Sequence, residues 1–182
     1  MGVVTCDVGV SVDGFVAGVE QSEEHPLGTG AEHLHRWMLE TEDENAAEIA
    51  AILGHGAYIM GRNMFGPVRG EWDAPWRGWW GEEPPYRAPV FVLTHFEHEP
   101  IEMEGGTTFH FVTDGFDATY ARAVETAAGG DELVPDSLHI AADGSTAVAL
   151  HRTLSTLAIR HVPQLERFAV VTETGRGQAP LS

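Results

Sequence analysis

The chain has 182 residues, 43% of them hydrophobic and 21% charged, the proportions of an ordinary globular protein rather than a disordered or fibrous one. Its formal net charge of −18 opposes nucleic acid and anionic membrane as partners, because their phosphates are repelled. The length suits one domain over residues 1–182, and with no apolar run approaching a membrane span and no basic-then-apolar leader, the expected location is the cytoplasm.

In chain order, the valine-rich run from Val3 to Val12 predicts a buried strand that bends at Asp13-Gly14, after which Phe15-Val16-Ala17-Gly18 resumes the apolar character. Cys6, the single cysteine, falls in that run and is expected to be a core thiol. Glu20 to Gly30 reads as a surface loop. A short helix is expected over Ala31 to Leu39, with Leu34, Trp37 and Met38 on one side. Thr41 and Glu44 have the capping-box spacing for a second, alanine-rich helix that stops at Gly54 or Gly56.

Ala57 to Met60 is then a short strand with Gly61-Arg62-Asn63 at its carboxyl end. The following stretch, 66–89, holds Trp72, Trp76, Trp79 and Trp80 without a period of 2 or 3.6 and predicts a long ordered loop. Strands are expected at Pro89 to Leu93 and Thr108 to Val112, and Asp114 is placed to cap a helix from Phe116 to about Ala128. Leu138 to Ala141, a helix from about Ser145, and strands at Leu157 to Val162 and Phe168 to Val171 complete the alternation. Such alternation predicts a mainly parallel sheet with helices on both faces, whose ligands gather just after Val12, Met60, Leu93 and Val112.

Gly61-Arg62-Asn63 offers backbone N–H groups and a guanidinium, both suited to a phosphate, although Arg62 can equally pair with the many acids around it. Thr94-His95 closes the next strand with a hydroxyl and an imidazole, and Thr113 adds another hydroxyl. The ten histidines invite a metal reading, but His33 and His35 are two apart and point to different helix faces, so no metal is expected there or at His95 and His98. No glycine-flanked serine elbow, HExxH or GxxxxGK[ST] pattern occurs, which disfavours hydrolases and P-loop enzymes. The tryptophan-rich loop can cover a flat aromatic ligand or simply pack onto the sheet.

Four segments carry a resemblance: Val10-Ser11-Val12-Asp13-Gly14-Phe15-Val16-Ala17-Gly18, Tyr58-Ile59-Met60-Gly61-Arg62-Asn63-Met64-Phe65, Pro89-Val90-Phe91-Val92-Leu93-Thr94-His95 and Phe109-His110-Phe111-Val112-Thr113-Asp114-Gly115. In order and spacing, over about the first 130 residues, the chain resembles the bacterial dihydrofolate-reductase family proteins, relatives of the reductase domain of the riboflavin-biosynthesis enzyme RibD. The resemblance implies a dihydrofolate-reductase-like three-layer α/β fold, a central mostly parallel mixed sheet with helices on both faces. It implies NADPH as hydride donor, an activity like that of dihydrofolate reductase or 5-amino-6-(5-phosphoribosylamino)uracil reductase, and a homodimer.

By the same resemblance Ser11, Val16, Ala17 and Gly18 lie near the nicotinamide, Gly61, Arg62, Asn63 and Met64 around the phosphates, and Leu93, Thr94 and His95 near the adenosine end. Asp13 either polarises or protonates a substrate or satisfies the N–H groups of its own turn. After Gly130 the sequence departs from its relatives: His139-Ile140-Ala141-Ala142-Asp143-Gly144-Ser145-Thr146 stands where they carry a double glycine, leaving Gly144 for the phosphate loop. Two functions follow as expectations. One is an NADPH-dependent reductase of a small pterin- or pyrimidine-like heteroaromatic; the other is a non-catalytic nucleotide- or small-molecule-binding module on the same scaffold.

Overall fold

In chain order the elements are β1 (Val3–Gly9), α1 (Arg36–Leu39), α2 (Ala46–Leu53), β2 (Ala57–Gly61), α3 (Arg62–Phe65), β3 (Pro89–Leu93), β4 (Ile101–Glu102), β5 (Thr108–Val112), α4 (Phe116–Ala128), β6 (Ser137–Ala141), β7 (Leu165–Thr172) and β8 (Gly175–Gln178). The computed structural model describes residues 3–9, 15–67, 70–72, 74–128, 137–141, 165–172 and 175–178. Its strands form one sheet in the order β4-β5-β3-β2-β6-β1-β7-β8. All neighbours are parallel except β4 with β5 and β7 with β8 at the two edges, the mostly parallel mixed sheet that the alternation predicts.

Alternation along the strands divides the core between two faces. On one face Tyr58, Met60, Val90, Val92 and Phe109 form a buried cluster, against which Leu53 at the end of α2, Phe65 of α3, Trp72 and Trp76 pack. The tryptophan loop therefore covers the sheet. Over the other face α4 lies across β2, β3 and β6, and its buried residues Thr119, Ala123 and Ala127 recur every fourth position. Small side chains in that row let the helix approach the strands closely.

Cys6 is buried in β1, as expected of a core thiol. Two tyrosines place hydroxyls inside the core. The His55 N–H donates to Tyr58 Oη at 3.3 Å and the Trp80 indole N–H to Tyr86 Oη at 3.1 Å. Burial pushes both phenols up to about 12, so they stay protonated and neutral throughout the physiological range.

The helix starts differ from their expectations. Thr41 does not cap: its hydroxyl donates to the Trp37 carbonyl at 3.3 Å, while the Asn45 amide donates to Trp37 O, Thr41 O and Thr41 Oγ1. These bonds wind Glu42–Asn45 into a 3-10 turn, and the α-helix begins only at Ala46. The first helix likewise opens as a 3-10 turn at Glu32–His35. Asp114 does not cap α4 either, since its carboxylate accepts from Arg122 at 2.7 Å. Gly115, at φ 86, turns the chain into the helix, and its carbonyl accepts from both the N–H and the hydroxyl of Thr119.

Edge strands β4 and β8 have no counterpart in the sequence reading. The helix expected from about Ser145 and the strand expected over Leu157 to Val162 lie outside the described residues.

Burial holds His35 and His110 below the ordinary histidine value of 6.5, and His110 stacks on Phe91 with ring centres 5.2 Å apart. Both are therefore favoured neutral when folded, and the unfolded chain binds more protons just below that value. Stability is complete above 6.5 and is lost as pH falls through the lower folded values. Melting temperature is expected to drop between about pH 7 and 5. The double variant His35→Gln, His110→Gln should flatten the drop; an unchanged slope would remove these histidines as its source.

Candidate functional site

The parallel strands end in register. Met60 lies opposite Ala141 of β6, Gly61 opposite Leu93 of β3, and Leu93 opposite Val112 of β5. Arg62, Thr94 and Thr113 therefore stand in the next row, one step beyond the sheet, and the Thr94 N–H closes that row by donating to Val112 O at 3.1 Å. Two neighbours diverge here: β2 leads outward to β3, whereas β6 leads past β1 to β7. Divergence of adjacent parallel strands opens a crevice at their carboxyl ends, the usual ligand position in such sheets.

The single turn of α3 is anchored by Phe65. That ring is almost wholly buried and meets Phe109, Phe111 and Trp72 edge to face at centre distances of 5.1, 5.1 and 5.8 Å. The Trp76 indole N–H donates to Phe65 O at 2.8 Å, and its ring leaves no room for a side chain at position 66: a Cβ on Gly66 would lie 2.3 Å from Trp76 Nε1. The Met64 side chain packs against the same core cluster. Arg62 and Asn63, at the start of the turn, are half-buried.

Arg62 Cζ lies 3.0 Å from the centre of the Trp72 ring, and its Nη2 is 3.5 Å from Gly70 O. Trp72 is itself fixed from the neighbouring strand ends. Its indole N–H donates to Phe96 O at 3.2 Å, just past β3, and the rings of His98 and Phe111 sit 4.7 and 4.8 Å from its own. Thr94 is buried, and its hydroxyl oxygen accepts from the Phe96 N–H at 3.2 Å, so it closes the turn after β3. His95 is exposed beside it.

The segment after β1 reaches the same region. Gly18 and Gly28 touch backbone to backbone: a Cβ on Gly18 would lie 2.3 Å from Thr29 O, and one on Gly28 would lie 2.5 Å from Gly18 C. This close approach lets Gly18 N donate to Leu27 O and Thr29 N to Val19 O, folding the loop into a flat ribbon. Gln21 Nε2 donates from this ribbon to Asn63 O at 3.4 Å, tying it to the start of α3. Val16, Ala17 and Gly18 are half-buried.

Gly61, Arg62, Asn63, Leu93, Thr94, His95 and Thr113 are thus brought to one edge, with Val16 to Gly18 linked to it through Gln21. Ser11, Asp13 and Gly144 lie outside the described residues. Trp72, Gln21 and His98 also belong to the edge; the sequence reading named Trp72 only within the tryptophan-rich loop and His98 only beside His95 as a metal candidate, and it did not single out Gln21. Among the described residues no group of three His, Cys, Asp or Glu side chains could hold a metal ion.

The chemistry of this edge suits an anion despite the overall charge. Gly61-Arg62-Asn63-Met64-Phe65, Leu93-Thr94-His95-Phe96 and Val112-Thr113 contain no carboxylate in a chain with 28 acidic residues. The acids that directly follow these segments are Glu97, exposed after Phe96, and Asp114, which is held by Arg122.

The RibD C-terminal domain model matches residues 3–165. The chain belongs to the RibD C-terminal domain family. A comparison with curated proteins finds no match. Membership makes the chain a reductase-type protein with the dihydrofolate-reductase-like α/β fold, and the matched range takes in every candidate residue from Ser11 to Gly144. It also runs past Gly130, to residue 165 of this RibD C-terminal domain. Among the described residues no helix is long and apolar enough to cross a membrane.

Proposed function

We propose that this protein is an NADPH-dependent reductase acting on a small pyrimidine- or pterin-like heteroaromatic. The observation that carries the reading is the carboxylate-free row at the ends of β2, β3 and β5, inside the range of a reductase family. NADPH, when bound, supplies the hydride. The chain supplies position and electrostatics.

Arg62, with the N–H groups at the start of α3, would hold the phosphates, and Thr94, His95 and Thr113 would flank the adenosine end. Val16 to Gly18 and Ser11 would border the nicotinamide, with Gly18 kept free of a side chain so that the ribbon stays flat. Asp13, which in sequence falls between β1 and that ribbon, is the candidate to hold a proton near the substrate.

Calorimetric titration with NADPH and NADH tests the reading, and a dissociation constant for NADPH from about micromolar to sub-millimolar is expected. Deuterium carried from labelled NADPH into a pyrimidine or pterin substrate would establish the transfer. Absence of binding by either cofactor at millimolar concentration would instead support a binding module for another small molecule.

A further inference from the structure

Arg62 is the one cationic side chain in the row that follows β2, β3 and β5 whose charge does not depend on protonation, so its placement governs what the edge can bind. An arginine side chain carries several rotatable bonds, and ordering it on a ligand costs rotamer entropy. Here that order is built before any ligand arrives. Trp72 lies under the guanidinium at 3.0 Å and is held from three directions: by its N–H on Phe96 O, by His98, and by Phe111 of β5. The tryptophan comes from the irregular loop after α3, yet it joins the carboxyl ends of three strands.

We propose that Trp72 is a positioning residue, whose ring presets the Arg62 guanidinium at the carboxyl edge so that it meets a dinucleotide phosphate already oriented. The inference rests on the reductase reading above but assigns a role to a residue outside the phosphate-contacting set. A guanidinium over an aromatic face is attracted through the ring and keeps N–H donors at its rim for an oxyanion. Trp72 acts on the phosphate only through Arg62. Its effect on affinity must therefore vanish when Arg62 is gone.

A double-mutant cycle on the full chain tests this. Trp72→Leu, which keeps apolar bulk and removes the π face, is expected to weaken NADPH about fivefold in the Arg62 background. The same change on top of Arg62→Ala should alter affinity less than about twofold. Trp72→Phe, which keeps a ring but loses the bond to Phe96 O, should recover part of the loss.

A second readout needs no cofactor. In proton–nitrogen NMR spectra the Arg62 Nε–H should be shifted by the Trp72 ring current, and the shift should disappear in Trp72→Leu. Equal loss of NADPH affinity with and without Arg62 would make Trp72 a general packing residue and overturn the proposal, as would an Arg62 resonance indifferent to Trp72. Failure of the wild type to bind NADPH would overturn the reductase reading and this role with it, whereas binding without coupling would overturn this role alone.

Discussion

Phe65→Ala is expected to lower stability by about 3–5 kcal/mol and the melting temperature by on the order of 10 °C. The ring is among the largest fully buried side chains and touches three other aromatic rings drawn from β5 and the tryptophan loop. Truncation removes the buried surface and leaves a cavity that these flat, mutually braced rings cannot refill. Position adds a second effect, because Phe65 closes the same turn that Arg62 opens. NADPH affinity should fall even where the variant remains folded. A melting temperature within about 3 °C of the wild type would show that the turn is anchored elsewhere.

Arg62→Ala should weaken NADPH by about one to two decades, the effect of losing a charge-assisted contact of roughly 1.5–3 kcal/mol. NADH should suffer less, since a guanidinium at this edge can pair with the extra 2′-phosphate as well as the shared pyrophosphate. Parallel titrations of both cofactors read the difference. Equal weakening would place Arg62 on the pyrophosphate alone, and unchanged affinities would reduce it to a partner of Trp72.

Strong local patterns were legible. Strands Pro89–Leu93 and Thr108–Val112 and the helix Phe116–Ala128 have the bounds expected from β-branched runs and from the glycines that follow the helix. The alternation of elements, with the four matched segments, led to the right fold and family. What escaped was what distant contacts decide. Strand β4 has two residues and no internal pattern; pairing with β5 creates it. The Thr41 capping box fits its spacing, but Asn45 and Trp37 O compete for the same hydroxyl and draw it away from the backbone N–H it would cap.

The site shows the same division. Gly61-Arg62-Asn63, Thr94-His95 and Thr113 were legible because a strand end is a local event, and the register of parallel neighbours then lines those ends up. Arg62 read alone left a choice between a phosphate and a surface acid. Neither reading contained Trp72, ten positions on in a stretch without period, because only the folded path of that loop brings the two together. Gln21 was hidden for a similar reason: its tie to Asn63 spans 42 positions.

The sheet ends at β4, and its composition bears on how copies of this chain can meet. Beyond its two residues the segment is bordered by Glu97, Glu99, Pro100 and Glu104, with Glu102 in the strand itself. A second copy adding its own β4 in antiparallel fashion would set these carboxylates against their counterparts, and Pro100 would withhold a ladder hydrogen bond. Brevity, like charge and proline together make this margin a poor template for strand addition, guarding the protein against edge-to-edge aggregation. Pairing of two copies by strand addition at this edge is therefore disfavoured.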